Sequence, residues 1–154
     1  MTKFYGLGRL RVGWVVADRD TARRLLYAKW AVSGHDSDYS LWIATQVLRQ
    51  RRRFVQRARR IHAKNAKLMR RFIEETKAVS AELGAAPFCL VHYKKGPGSV
   101  ALGKAVLEKT GVLVAPGDFF GAPKAFRLCF TCEEETLRLG LEKLSSFLNR
   151  MSRD

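Results

Sequence analysis

Lys3 and Arg11 bracket a short segment that holds Gly6 and Gly8, and together they could do chemistry. A lysine offers a primary amine, which condenses with aldehydes and ketones and then carries protons. An arginine offers a permanently charged fork that suits phosphate or carboxylate. Taken alone, Lys3 reads as a solvated terminal lysine. Arg11 is less easily dismissed, because it sits in the apolar run LRVGWVVA from Leu10 to Ala17. A guanidinium buried there needs an anionic partner, and Gly6 and Gly8 permit a tight turn beside it. The glycines are no dinucleotide fingerprint, since Arg11 stands where GxGxxG requires its last glycine. Gly96-Pro97-Gly98 is no phosphate loop either, because no Gly-Lys-Ser/Thr follows. Cys129 and Cys132 form a CxxC without a second ligand pair, which reads as two small residues at a strand-to-helix junction and not as a metal site. With Cys89 the cysteine count is three, which is no disulfide framework.

Thr2-Lys3-Phe4-Tyr5-Gly6-Leu7-Gly8-Arg9-Leu10-Arg11-Val12-Gly13 resembles the lysine motif of class I and II aminotransferases, fold-type I enzymes that depend on pyridoxal 5'-phosphate (PLP). Thr2, Lys3, Gly6, Leu7, Arg11, Val12 and Gly13 fill the motif's places, and Arg9 stands where the family usually has glycine. The likeness continues in Gly111–Gly121, GVLVAPGDFFG, and in Phe126–Thr131, FRLCFT, so that it covers nearly the whole chain. The resemblance implies that Lys3 is the Schiff-base lysine, that Arg11 pairs with the cofactor phosphate and that Arg127 binds the substrate α-carboxylate. An arginine flanked by Phe126 and Leu128 on a strand suits bidentate capture in a dry site; read without the resemblance, it is an edge-strand arginine facing water.

The resemblance also implies what is expected outside this chain. The family's phosphate-contacting serine would precede Met1. So would the aspartate facing the pyridine nitrogen, the ring-stacking aromatic, the Asn and Tyr on the cofactor oxygen, and a phosphate-binding helix N-terminus. The expected fold is α/β: a C-terminal remnant of the PLP-transferase large domain, a long connecting helix, and an α+β small domain with helices on a short, mostly antiparallel sheet. The expected divisions are residues 1–40, 41–84 and 85–154.

The elements that must position these residues follow from the pattern. Leu10–Ala17 reads as a buried strand, followed by a short helix capped by Asp18 or Asp20 and ending near Trp30. No Gly or Pro occurs from His35 to Leu83, and Phe54, Ala58, Ile61, Leu68, Phe72, Val79 and Leu83 recur at helical steps. Phe88–Tyr93 reads as a strand, and Ser99 as the cap of a helix over residues 100–110 closed by Gly111. Val112–Ala115 and Phe126–Thr131 read as strands with a loop between them. Thr131 and Glu134 have capping-box spacing before a helix reaching Met151, with Leu137, Leu141, Leu144 and Leu148 on one face.

The 154 residues are 47% hydrophobic, enough for a packed core; no apolar stretch approaches the length needed to span a bilayer and the N-terminus lacks a leader pattern, which makes a cytoplasmic protein without a membrane partner the default expectation. Lys+Arg is 29 against Asp+Glu 14, a formal charge of +15. Arg49, Arg51, Arg52, Arg53, Arg57, Arg59, Arg60, Lys64, Lys67, Arg70 and Arg71 supply much of it, with no acid between Asp38 and Glu74. The simplest reading is a solvated face; the alternative partner is nucleic acid, unsupported by any RNA-binding motif. The function expected from the resemblance is transamination of an amino acid to a keto acid through PLP, in a homodimer or with a missing N-terminal half. The ending leans towards aspartate- or aromatic-type substrates, with histidinol-phosphate aminotransferase or a decarboxylase relative still open. The competing reading is an inactive fragment or a basic module that binds a partner chain or nucleic acid.

Overall fold

A computed structural model describes residues 1–152. It divides into two compact units, Met1–Ala58 and Arg59–Asp154. Five helices, α1 (Arg19–Ser33), α2 (Asp38–Arg49), α3 (Arg51–Glu75), α4 (Ser99–Thr110) and α5 (Glu134–Met151), accompany four strands, β1 (Val79–Ala81), β2 (Phe88–Tyr93), β3 (Ala115–Pro116) and β4 (Ala125–Cys129), among the described residues. The α/β class is as expected. The sheet runs β1-β2-β4-β3 and is antiparallel at every pairing.

In the C-terminal unit, alternation decides what the sheet buries. Cys89, Val91 and Tyr93 of β2 and Phe126 and Leu128 of β4 point into the core, while Phe88, Leu90, His92 and Arg127 point to the other face. The core is completed by Met69 and Phe72 of α3, Leu102 and Val106 of α4, and Leu137, Leu141, Leu144 and Leu148 of α5. All three helices therefore cover one face of the sheet, and each fully buried side chain of this size contributes about 1.5–3 kcal/mol. The leucine stripe expected on the last helix is buried as its spacing requires. Asn65 of α3, 1% exposed, donates from Nδ2 to the carbonyls of Phe130 (2.6 Å) and Cys132 (2.9 Å) and so pins the chain leaving β4.

Several elements depart from the sequence reading. Leu10–Ala17 is not a strand: Leu10 ends a 3-10 helix, Gly8–Leu10, and the residues after it have no regular structure. A buried strand needs neighbours on both edges, and no strand of the sheet pairs with this segment, so that Trp14, Val15 and Val16 are exposed. The expected continuous helix is two helices parted at Gln50, inside the dense basic run Arg49–Arg53. Val79 leaves the helical pattern altogether, because pairing with Tyr93 on the sheet edge satisfies its backbone. Asp18 does cap α1, accepting from the amides of Asp20 (3.1 Å) and Thr21 (3.0 Å); hydrogen bonding from the Thr21 side chain, and then from these amides, holds its carboxyl below the usual range. Ser99 is the first residue of α4 and not its cap, a place taken by Gly98. The Thr131–Glu134 capping box does not form: Glu133 occupies the N-cap, and Glu134 reaches Lys64 instead.

Replacing Asn65 with Ala removes the donor from two carbonyls, the buried one of Phe130 and the part-buried one of Cys132. Urea denaturation of the Asn65→Ala variant is expected to show the C-terminal unit destabilised by about 2–3 kcal/mol.

Candidate functional site

The N-terminal residues fold into a closed loop. The Met1 amino group donates to the Val12 carbonyl (3.1 Å), the Leu7 amide to Met1 (3.4 Å) and the Gly6 amide to Lys3 (3.3 Å). The Arg11 amide returns to Gly8 (3.3 Å). Gly6, at φ 69°, makes the turn that L side chains resist. Tyr5 anchors the loop with its ring 6.5 Å from that of Phe54. Lys3 and Arg11 thus stand on one loop of the N-terminal unit, and both are exposed. Arg11 is not buried as its apolar neighbours suggested, because the strand that would bury it does not form. It adopts φ 54°, alone among the non-glycine residues described. That conformation costs about 1–2 kcal/mol. Arg11 enters no ion pair among the described residues.

Arg127 belongs to the C-terminal unit. It lies in β4 opposite Leu90 of β2 and Ala115 of β3, on the sheet face away from the helices. Its guanidinium carbon is 4.6 Å from the centre of the Phe120 ring and 5.4 Å from that of Phe88. Arg127 is half-buried and, among the described residues, forms no ion pair and no hydrogen bond through its side chain. It opens into a cleft of about 750 Å³ lined also by Ser80, Glu82, Phe88, Leu90, His92 and Phe120. A half-buried guanidinium beside two aromatic rings, in no ion pair among the described residues, has the chemistry to accept a small anion, and a carboxylate matches its fork.

The segment between β3 and β4 brings Phe120 there. Gly117–Phe120 is a short 3-10 helix, entered from Pro116 and closed by Gly121 at φ 70°. A Cβ on Gly117 would collide with the carbonyl oxygens of Ala122 and Ala125, so only glycine fits. Asp118 is tied to α4 twice: its amide donates to Ser99 Oγ (2.9 Å), and Ser99 Oγ donates to its carboxylate.

A family model described as "Aminotransferase class I and II" matches residues 1–144. The chain belongs to this family. Among solved structures, a PLP-dependent aminotransferase from Streptococcus suis 89-1591 is 30% identical with a TM-score of 0.89, covering 96% of this chain and 40% of its own. An α-aminoadipate aminotransferase from Thermus thermophilus (21% identity, TM-score 0.82, 95% and 40% coverage) has the same fold. So has an aspartate aminotransferase from Thermotoga maritima (17%, 0.81, 96% and 38%). The present aminotransferase-family chain therefore spans about 40% of the length of the structures it matches. No curated protein matches it.

Sequence reasoning passed over Phe88, Phe120, Asp118, Ser99 and His92. The alternation of β2 could have found Phe88 and His92, since both share parity with Leu90, which lies opposite Arg127; nothing in the sequence alone sets Phe120 against Arg127. The basic residues of α3 are exposed, and two of its ten are in ion pairs among the described residues, Lys64 with Glu134 (3.0 Å) and Arg71 with Glu75 (2.7 Å). No group of three or more metal-ligating side chains occurs among the described residues, and no helix there is long and apolar enough to cross a membrane.

The cysteines separate by environment. Burial pushes the Cys89 thiol up to about 11; Cys129 and Cys132 are both exposed residues, but partial desolvation raises the thiol of Cys132. Because the thiolate is the reactive form, Ellman's reagent at pH 8 is expected to modify Cys129 first and to leave Cys89 untouched until denaturant opens the core.

Proposed function

We propose that the chain carries part of a PLP-dependent transaminase site, with Lys3 and Arg11 directed to the cofactor and Arg127 to the substrate. Residues 1–40 then belong to the cofactor-binding part, 41–84 connect, and 85–154 form the small domain. The observation that carries this reading is Arg127: a half-buried guanidinium beside two aromatic rings, in no ion pair among the described residues, facing a cleft of about 750 Å³. Arg11 fits the cofactor's phosphate, since an exposed arginine in no ion pair among the described residues can offer its fork to a permanent dianion. When bound, PLP supplies an aldehyde that condenses with primary amines and a ring that withdraws electrons from the carbon next to them. Lys3 would contribute its Nζ as the amine that holds the cofactor and, once released, takes up and returns the substrate's α-proton. Arg127 would hold the α-carboxylate and so fix which bond at the α-carbon faces Lys3. Amino and keto acids are the substrates that the family implies.

The chemistry is tested by adding PLP to the purified chain, reducing with borohydride and mapping the phosphopyridoxyl label. Lys3 is expected to be labelled ahead of the other lysines, and Arg11→Ala to lose most of that preference. Label spread evenly over the surface lysines would overturn the assignment. Arg127→Ala should leave the Lys3 label intact and weaken binding of an amino acid or carboxylate by about tenfold or more.

A second reading rests on the unpaired arginines of α3, which fit a polyphosphate backbone. Retention on heparin that is lost steeply with salt, and reduced in a variant with Arg59, Arg60, Lys67 and Arg70 changed to Gln, would support it. Salt-independent elution would remove it.

A further inference from the structure

Resting on the carboxylate role of Arg127, we infer that Asp118, locked in place by Ser99, is a positioning residue that acts on Arg127 through Phe120. Ser99 is a rigid base. It is completely buried, it begins α4, and its amide donates to the Pro123 carbonyl (3.1 Å). The helix behind it is anchored in the core by Leu102 and Val106, both without exposed surface. Asp118 is tied to that base at its backbone and at its side chain, so its own conformation has little freedom. The Gly121 amide returns to the Asp118 carbonyl (3.2 Å), closing a single 3-10 turn around Phe120. What fixes Asp118 therefore fixes the backbone from which the Phe120 ring hangs.

That backbone matters because burial does not hold the ring. Phe120 is 43% exposed. Arg127 is in the same position: among the described residues its head has no carboxylate and no hydrogen bond, and the Phe120 ring at 4.6 Å is the nearer of its two aromatic neighbours. A free arginine head must be ordered before it can accept a carboxylate in two parallel bonds, and that ordering weakens binding. The chain Ser99–Asp118–Phe120 does the ordering in advance. It works by geometry and not by charge, so an amide at position 118, which still accepts from the Ser99 hydroxyl, serves as well as a carboxylate.

The test uses the full chain labelled with nitrogen-15, with the Arg127 Nε–H signal assigned by its loss in Arg127→Lys. Relaxation reports how ordered this bond is, and titration with sodium propionate reports carboxylate binding. Ser99→Ala and Phe120→Leu are expected to lower the Arg127 Nε order parameter to below about 0.6 and to weaken propionate by about fivefold. Asp118→Asn and Phe120→Tyr should preserve both. Unchanged Arg127 order in Ser99→Ala and Phe120→Leu overturns the proposal, and so does loss of order in Asp118→Asn, which would mean that charge and not geometry acts. Phe120→Leu serves even where Ser99→Ala fails to fold, because Phe120 lies at the surface. Failure of propionate to move the Arg127 signal in the unmodified chain would instead sink the carboxylate reading, while the order measurement still judges the positioning.

Discussion

β4 is hydrogen-bonded along both of its edges, and its register against β2 determines the rest of the C-terminal unit. Phe126 faces Val91 and Arg127 faces Leu90. Side chains alternate across a strand, so a slip of one residue would drive a guanidinium into the core and turn Phe126 out to water. The core excludes that slip: Phe126, Val91 and Phe130 have no exposed surface, and among the described residues no buried carboxylate is present to receive a charge. The apolar packing on one face of the sheet is thus what places an unpaired cation on the other. Site and core are two sides of a single pairing.

Much of this was legible in the residues. The strands β2 and β4, the helices α4 and α5 and the closing Gly111 follow from short-range pattern, because each element's own side chains supply its buried face. The local rules failed where a distant element decided. Val79 continues a helical spacing, yet an edge of β2 with unpaired backbone groups draws it into a strand. Ser99 has the chemistry of a cap, but a partner nineteen positions along the chain takes its hydroxyl. The apolar Leu10–Ala17 run describes a strand correctly as far as composition goes, and composition cannot supply the neighbours that a strand requires.

The site shows the same division. Lys3, Arg11 and Arg127 could be singled out by residue type and by resemblance to the aminotransferases. The groups that would make Arg127 effective could not be, since Phe120 reaches it only through a turn whose geometry depends on Gly117 lacking a side chain and on Asp118 meeting α4. Residue chemistry can be read along the chain, whereas pre-organisation is a property of contacts between segments far apart in it.

The exposed apolar side chains of the N-terminal unit bear on how the chain behaves among copies of itself. Trp14, Val15, Val16, Tyr27, Trp30 and Trp42 all meet solvent, and exposed apolar surface of this kind favours self-association. The formal charge of +15 opposes it, because like-charged molecules repel before their apolar patches can meet. That repulsion reaches only about 10 Å at 0.1 M salt and shortens as salt rises. Colloidal stability in this molecule therefore rests on its excess of arginine and lysine, and ionic strength sets how far their protection extends.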